Sequence, residues 1–192
     1  MSNDICSVEW ACEQATSRLS SLGNRWLHVQ EVVERSRWVG QAFEKENRDV
    51  LVAAAYLHDI GYAAVVKDTG FHPLDGACYL RSYGCERLAS LVAYHSGAQF
   101  EAALRGYSEQ LHEFTRERSA VADALTYCDM TTGPTGVHLS YKERLADIFG
   151  RYGCEDIVAK ANRQAIPSVS LAVARTQKRL RKFGLVTSPS TS

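Results

Sequence analysis

The chain has no excess of either charge: Lys plus Arg number 22 and Asp plus Glu 22 among 192 residues, a formal net charge of zero. Without a basic block or stripe, nothing marks a nucleic-acid polymer or a membrane surface as a partner. Long hydrophobic runs are missing too. The longest, Val50 to Leu57, spans eight residues, against the roughly 20 a bilayer-crossing helix needs. Met1 to Trp10 includes Asp4 and Glu9 and lacks the basic start and apolar stretch of a signal peptide, so a cytoplasmic location is expected. None of the six cysteines, Cys6, Cys12, Cys78, Cys85, Cys128 and Cys154, forms a C-x-x-C pair. That leaves a zinc ribbon or a thioredoxin-like motif without support, and free thiols, several of them buried, are the expectation. No segment alternates apolar and polar residues as a half-buried strand does, and no internal repeat is visible.

What remains is helical patterning. With 45% hydrophobic and 23% charged residues, the composition is that of a globular protein, and the length suits one domain. Asn24 is placed to cap a helix whose stripe runs through Trp26, Val29, Val33, Ser36, Val39 and Phe43. A second helix is expected from Asp49 through Val50 to Ile60, stopped by Gly61 and apolar nearly all round, as a central helix should be. Pro73 suits the first position of a helix reaching Tyr83, and Gly84 ends it. Further helices are expected over Glu86 to His95, Ser108 to Asp129, Ser140 to Phe149, and Glu155 to Phe183, the last broken near Pro167. The expected fold is a single all-α bundle of six to eight helices spanning residues 21–185. Residues 1–20 form an N-terminal extension or helix, and the Ser/Thr/Pro-rich residues 186–192 a disordered tail.

Six residues stand out chemically: His28, His58, Asp59, His72, His95 and Asp129. Leu57-His58-Asp59-Ile60-Gly61 is the sharpest feature, because it places an ionisable pair at the end of the most hydrophobic helix. A buried charge is costly unless it is paired or coordinates a metal. Each residue has a plainer reading alone: His95 as a hydrogen-bonded core histidine, His72 as a helix cap, Asp129 as a helix-end residue bonded to the Thr131 or Thr132 backbone. Their coincidence favours a metal site. Mixed imidazole and carboxylate ligands suit iron, manganese, cobalt, nickel or zinc, with Asp75 or Asp123 available to orient an imidazole. His112 and His138 lack such context and read as surface residues.

In order along the chain, His28, His58-Asp59 and Asp129 resemble the H…HD…D pattern of the HD superfamily, and the resemblance spans about Arg25 to Gly136. It implies a helical domain in which His28, His58, Asp59 and Asp129 are core metal ligands, with His58 and Asp59 at the catalytic centre. Some members carry two further histidines between the HD pair and the last Asp. His72 and His95 fall there, which implies a dinuclear site bridged by Asp59. The fallback is one metal, with His72 and His95 on a phosphate.

The commoner family chemistry is phosphohydrolysis by a metal-activated water, here on a nucleotide or small phosphate ester. Lys67, Arg81, Thr131, Thr132 and Arg144 are available as phosphate contacts, and Tyr62 stands where many hydrolases of the family have Lys. Substrate selection is expected from the loops Tyr62 to Phe71 and Ser96 to Tyr107. A minority branch uses a mixed-valent di-iron pair to cleave C–C or C–P bonds, and Gly76-Ala77-Cys78-Tyr79-Leu80 resembles a stretch in it. A non-catalytic ligand-binding module is the third class. A small phosphate-containing molecule is the expected partner, and either a monomer or a homodimer fits the composition.

Overall fold

The computed structural model describes residues 4–185. Among them the chain is all-α: α1 (Val8–Leu19), α2 (Asn24–Gly40), α3 (Lys45–Leu57), α4 (His72–Ser82), α5 (Glu86–Tyr94), α6 (Ala98–Arg105), α7 (Ser108–His112), α8 (Ala120–Met130), α9 (Tyr141–Arg151) and α10 (Ile157–Lys182). Two 3-10 turns, Ile60–Tyr62 and His95–Gly97, follow α3 and α5. The only non-helical pairing among the described residues is an isolated antiparallel bridge between Thr132 and His138. No helix there is long and apolar enough to cross a membrane. The expected tail over 186–192 lies outside the described residues.

The apolar helix anticipated from Asp49 is the centre of the bundle. It starts earlier, at Lys45, and packs against α1, α2, α5 and α8. Leu51, Ala54, Ala55 and Leu57 are fully buried, each leucine stabilising the fold by about 1.5–3 kcal/mol relative to exposure. The N-terminal helix adds Trp10, Ala11, Ala15 and Leu19 to the same core. Ser7, Ser119, Ser140 and Asp156 cap α1, α8, α9 and α10 through side-chain oxygens, and Ser140 with Glu143 forms a full capping box.

Four expectations are corrected. Residues 108–129 form two helices, because Ser119 accepts the Ala122 N–H and starts α8 afresh while Phe114 turns into the core. The segment after His95 is not a loop throughout, since Ala98–Arg105 is helical and Gly106 ends it in the left-handed region at φ 80°. Residues 157–182 form one helix through Pro167. That proline and Arg163, whose carbonyl it leaves without an amide partner, both lie on the exposed face, where water can take the carbonyl.

The fourth concerns the cysteines. Cys6 and Cys85, 79 positions apart, form a disulfide, their Cα atoms brought to 5.6 Å where the N-terminal segment meets the α4–α5 turn. Cys12, Cys78, Cys128 and Cys154 are free.

Candidate metal centre

Six side chains from five elements converge at one end of the bundle. His28 comes from the second turn of α2, His58 and Asp59 from the end of α3, and His72 from the first position of α4. His95 comes from the end of α5 and Asp129 from the last turn of α8. His28, His58 and Asp129 offer ligand atoms within 4.8 Å of one another, and Asp59, His72 and His95 do the same. Asp59 joins the two triads. Its Oδ2 lies 3.4 Å from His58 Nε2 and 4.0 Å from His28 Nε2, while its Oδ1 lies 3.4 Å from His72 Nε2. One carboxylate oxygen thus faces each triad, the disposition of a bridging ligand.

The ring orientations follow from helix ends. The last carbonyls of a helix have no amide partner. His58 donates from Nδ1 to Ala55 O at 2.8 Å, and His95 donates from Nδ1 to Val92 O at 2.6 Å, each reaching three residues back. His28 Nδ1 donates to Gly133 O, in the loop after α8, at 3.1 Å. With Nδ1 donating to a carbonyl, each of these three rings directs its Nε2 inward, the atom that would bind a metal. The Nε2 atoms face one another, His28 to His58 at 3.4 Å and His72 to His95 at 3.3 Å, and His28 Nε2 also faces Asp129 Oδ1 at 3.1 Å. Acceptors at that distance repel unless a cation or a proton lies between them, so the donor set fits a metal. Asp75 and Asp123 orient none of these rings. Asp75 holds the Thr69 and Gly70 amides, and Asp123 faces Arg175.

Without a metal, a proton on His58 balances the buried carboxylates. Burial disfavours a charged imidazole at His58, but Asp59 beside it outweighs burial and raises the ring to about 9. Burial alone would raise Asp59, yet His58 and Arg25 hold it well below the usual carboxylate range. Asp129 is also held low, against burial, by the His28 hydrogen bond and the His58 charge. Burial lowers His72 and His95, keeping both neutral and available as ligands.

Two neighbours, Arg25 and Ser96, were not anticipated. Arg25 donates from Nη1 to Asp59 Oδ2 at 2.6 Å, with its guanidinium 4.1 Å above the Tyr62 ring. Tyr62 in turn stacks on His72 at 4.2 Å, forming an aromatic layer between a cation and a candidate ligand. The signal for Arg25 was its place one helical turn before His28. Ser96, in the left-handed region at φ 50°, donates its hydroxyl to Asp129 Oδ2. Gly61 is needed for a close approach: a Cβ there would lie 2.1 Å from the His72 carbonyl oxygen. Its backbone has no positive φ, so it is not a stop signal of the left-handed kind.

The centre opens into a cleft of about 780 Å³. Arg144 lines it, 7% exposed, as do Arg25, Arg151 and Tyr152. The other named phosphate contacts do not line it. Lys67 is exposed on the loop before α4. Arg81, at the far end of α4, donates to Glu113 O. The hydroxyls of Thr131 and Thr132 are committed to the Tyr127 and Cys128 carbonyls. His112 is exposed on α7, and His138 pairs with Glu31 at the surface.

No curated protein and no solved structure matches the chain. A family model described as HD domain matches residues 25–131, which contain all six converging residues. With more than half its length covered by that match, the chain belongs to the HD domain family.

Proposed function

We propose that this protein is a metal-dependent phosphohydrolase acting on a nucleotide or another small phosphate ester. The observation that carries the reading is the pair of adjacent three-ligand sets, with Asp59 of one set also facing His58 and His28 of the other, in an open, arginine-lined cleft. Two ions of the iron, manganese, cobalt, nickel or zinc kind, held by His28, His58 and Asp129 and by Asp59, His72 and His95, would supply a nucleophile from water at neutral pH and neutralise charge on phosphoryl oxygens. The chain's own residues supply the rest. Ala55, Val92 and Gly133 fix three imidazoles through Nδ1. Ser96 fixes the Asp129 carboxylate. Arg25, a third exposed at its side chain, lines the cleft while its Nη1 holds the Asp59 carboxylate, and its remaining N–H groups are available to an oxyanion of the substrate.

The test joins elemental analysis and electron paramagnetic resonance of the purified protein to phosphatase assays on p-nitrophenyl phosphate and nucleotides. One or two ions per chain, turnover, and loss of both in Asp59→Ala are expected. Turnover persisting in Asp59→Ala under chelation would sink the reading. Two irons with a mixed-valent signal and no phosphatase activity would move the site to oxidative chemistry, and a metal-free, inactive protein would leave a binding module.

A further inference from the structure

The wall of the cleft opposite the metal ligands is built by α9 and the start of α10, beyond the stretch that the HD family model matches. The charges lining the cleft are unevenly matched. Arg105 is paired with Glu101 at 2.7 Å, Arg25 with Asp59 at 2.6 Å, and Asp156 is committed to capping α10 through the Val158 N–H. On α9, however, one carboxylate serves two guanidinium groups. Asp147 Oδ2 accepts from Arg144 Nη1 at 2.7 Å and from Arg151 Nη2 at 2.9 Å, and Oδ1 accepts from Arg151 Nε at 3.2 Å.

Arg144 is also more than nine-tenths buried, and its Nε has no hydrogen-bond partner. An almost fully buried arginine with half a counter-ion is unfavourable on its own. It becomes favourable once an anion enters the cleft beside it. Arginine is suited to the task, because its planar fork grips carboxylates and phosphates in two-point fashion. Ile148, Ile157 and Tyr152 give the same wall an apolar part for the body of a ligand.

We infer that Arg144 and Arg151, sharing Asp147, form a second anion subsite across the cleft from the metal centre. The substrate is then a small phosphate ester bearing a second negatively charged group. The metal end takes the phosphoryl group that is cleaved, and α9 takes the second phosphate or carboxylate and sets specificity. This inference rests on the phosphate-ester reading for the first group alone.

Isothermal titration calorimetry on the purified, metal-loaded full chain separates the two. The probes are phosphoglycolate, which carries a phosphate and a carboxylate, and methyl phosphate, which carries only the phosphate. Phosphoglycolate is expected to bind about tenfold or more tightly, as a charge-assisted contact implies. Arg144→Gln and Arg151→Gln should each remove most of that preference. Arg151 is 41% exposed at its side chain, so its variant keeps the test valid if Arg144→Gln fails to fold. Equal binding of the two probes, or a preference that survives both substitutions, overturns the subsite and leaves the hydrolase reading intact. Binding of neither probe overturns both.

Discussion

Gly61→Ala puts one methyl group where the backbone of another element already lies. A Cβ at this position would sit 2.1 Å from the His72 carbonyl oxygen and 2.8 Å from both its carbonyl carbon and its Cα. Relaxed contacts need about 3.5 Å, so the Ile60–Tyr62 turn and the start of α4 must separate by about 1 Å or more. No flexible side chain can give way, and Gly76 packs on the same turn, with its own Cβ position 3.1 Å from Ile60. The cost should lie at the upper end of the overpacking range, about 3 kcal/mol, which lowers the melting temperature of a chain this size by about 6–12 °C. The same displacement pulls Asp59, just before the turn, away from His72, at the start of α4. Metal affinity should therefore fall by about 10–100-fold, as when a ligand loses its support.

Thermal unfolding followed by circular dichroism, with metal content measured after dialysis, reads both effects. Gly150→Ala, on α9 with no atom within 4 Å of its Cβ position, is the control. It should be neutral or stabilise by up to about 1 kcal/mol. A Gly61→Ala protein that melts within about 2 °C of the parent and keeps its metal would refute the close-approach argument.

Metal uptake by chelated protein should release a proton at neutral pH, because His58, raised to about 9 by Asp59, is protonated until an ion replaces the proton. Release measured in weakly buffered solution should shrink above pH 9, and no release at pH 7 would contradict the assignment. In the metal-free protein the same shift has a definite sign. His58 is raised on folding, so its contribution is complete below about pH 6.5, its unfolded value, and is lost as pH rises through 9. Cys6→Ser opens a link across 79 residues and should cost about 2–4 kcal/mol, read as a lower denaturant midpoint that added reductant does not lower further. A midpoint unchanged from the oxidised parent would mean the link does not stabilise the fold. His112→Ala should leave metal content and turnover at parental levels, since that ring is exposed on α7, outside the cleft.

The six converging residues were legible through their coincidence and their resemblance to the H…HD…D order, sharpest at His58-Asp59. An ionisable group beside Leu57 or at the end of the apolar α8 needs a partner, and the need shows in one dimension. Helix type was legible from apolar spacing, whereas boundaries that depended on tertiary demands were not. Phe114 leaves the helical path to reach the core, and Pro167 keeps to it because its freed carbonyl partner faces solvent. Arg81 and Arg144 looked alike as lone arginines on helices. Only packing sets one beside Glu86 and Glu113 at the surface and the other inside the cleft. The Cys6–Cys85 link was hidden for the same reason, since a separation of 79 residues says nothing about proximity.

Ser96 has a consequence for both halves of the centre. Its amide donates to Thr126 Oγ1 at 3.4 Å and its hydroxyl to Asp129, both on α8, while its neighbour His95 closes the other triad. The left-handed backbone at Ser96 and Gly97 lets one short turn reach both sides. The last ligand of each triad is thus fastened to the other through a single residue. A substitution at Ser96 would therefore disturb His95 and Asp129 together, one residue from each triad, rather than one side of the centre alone.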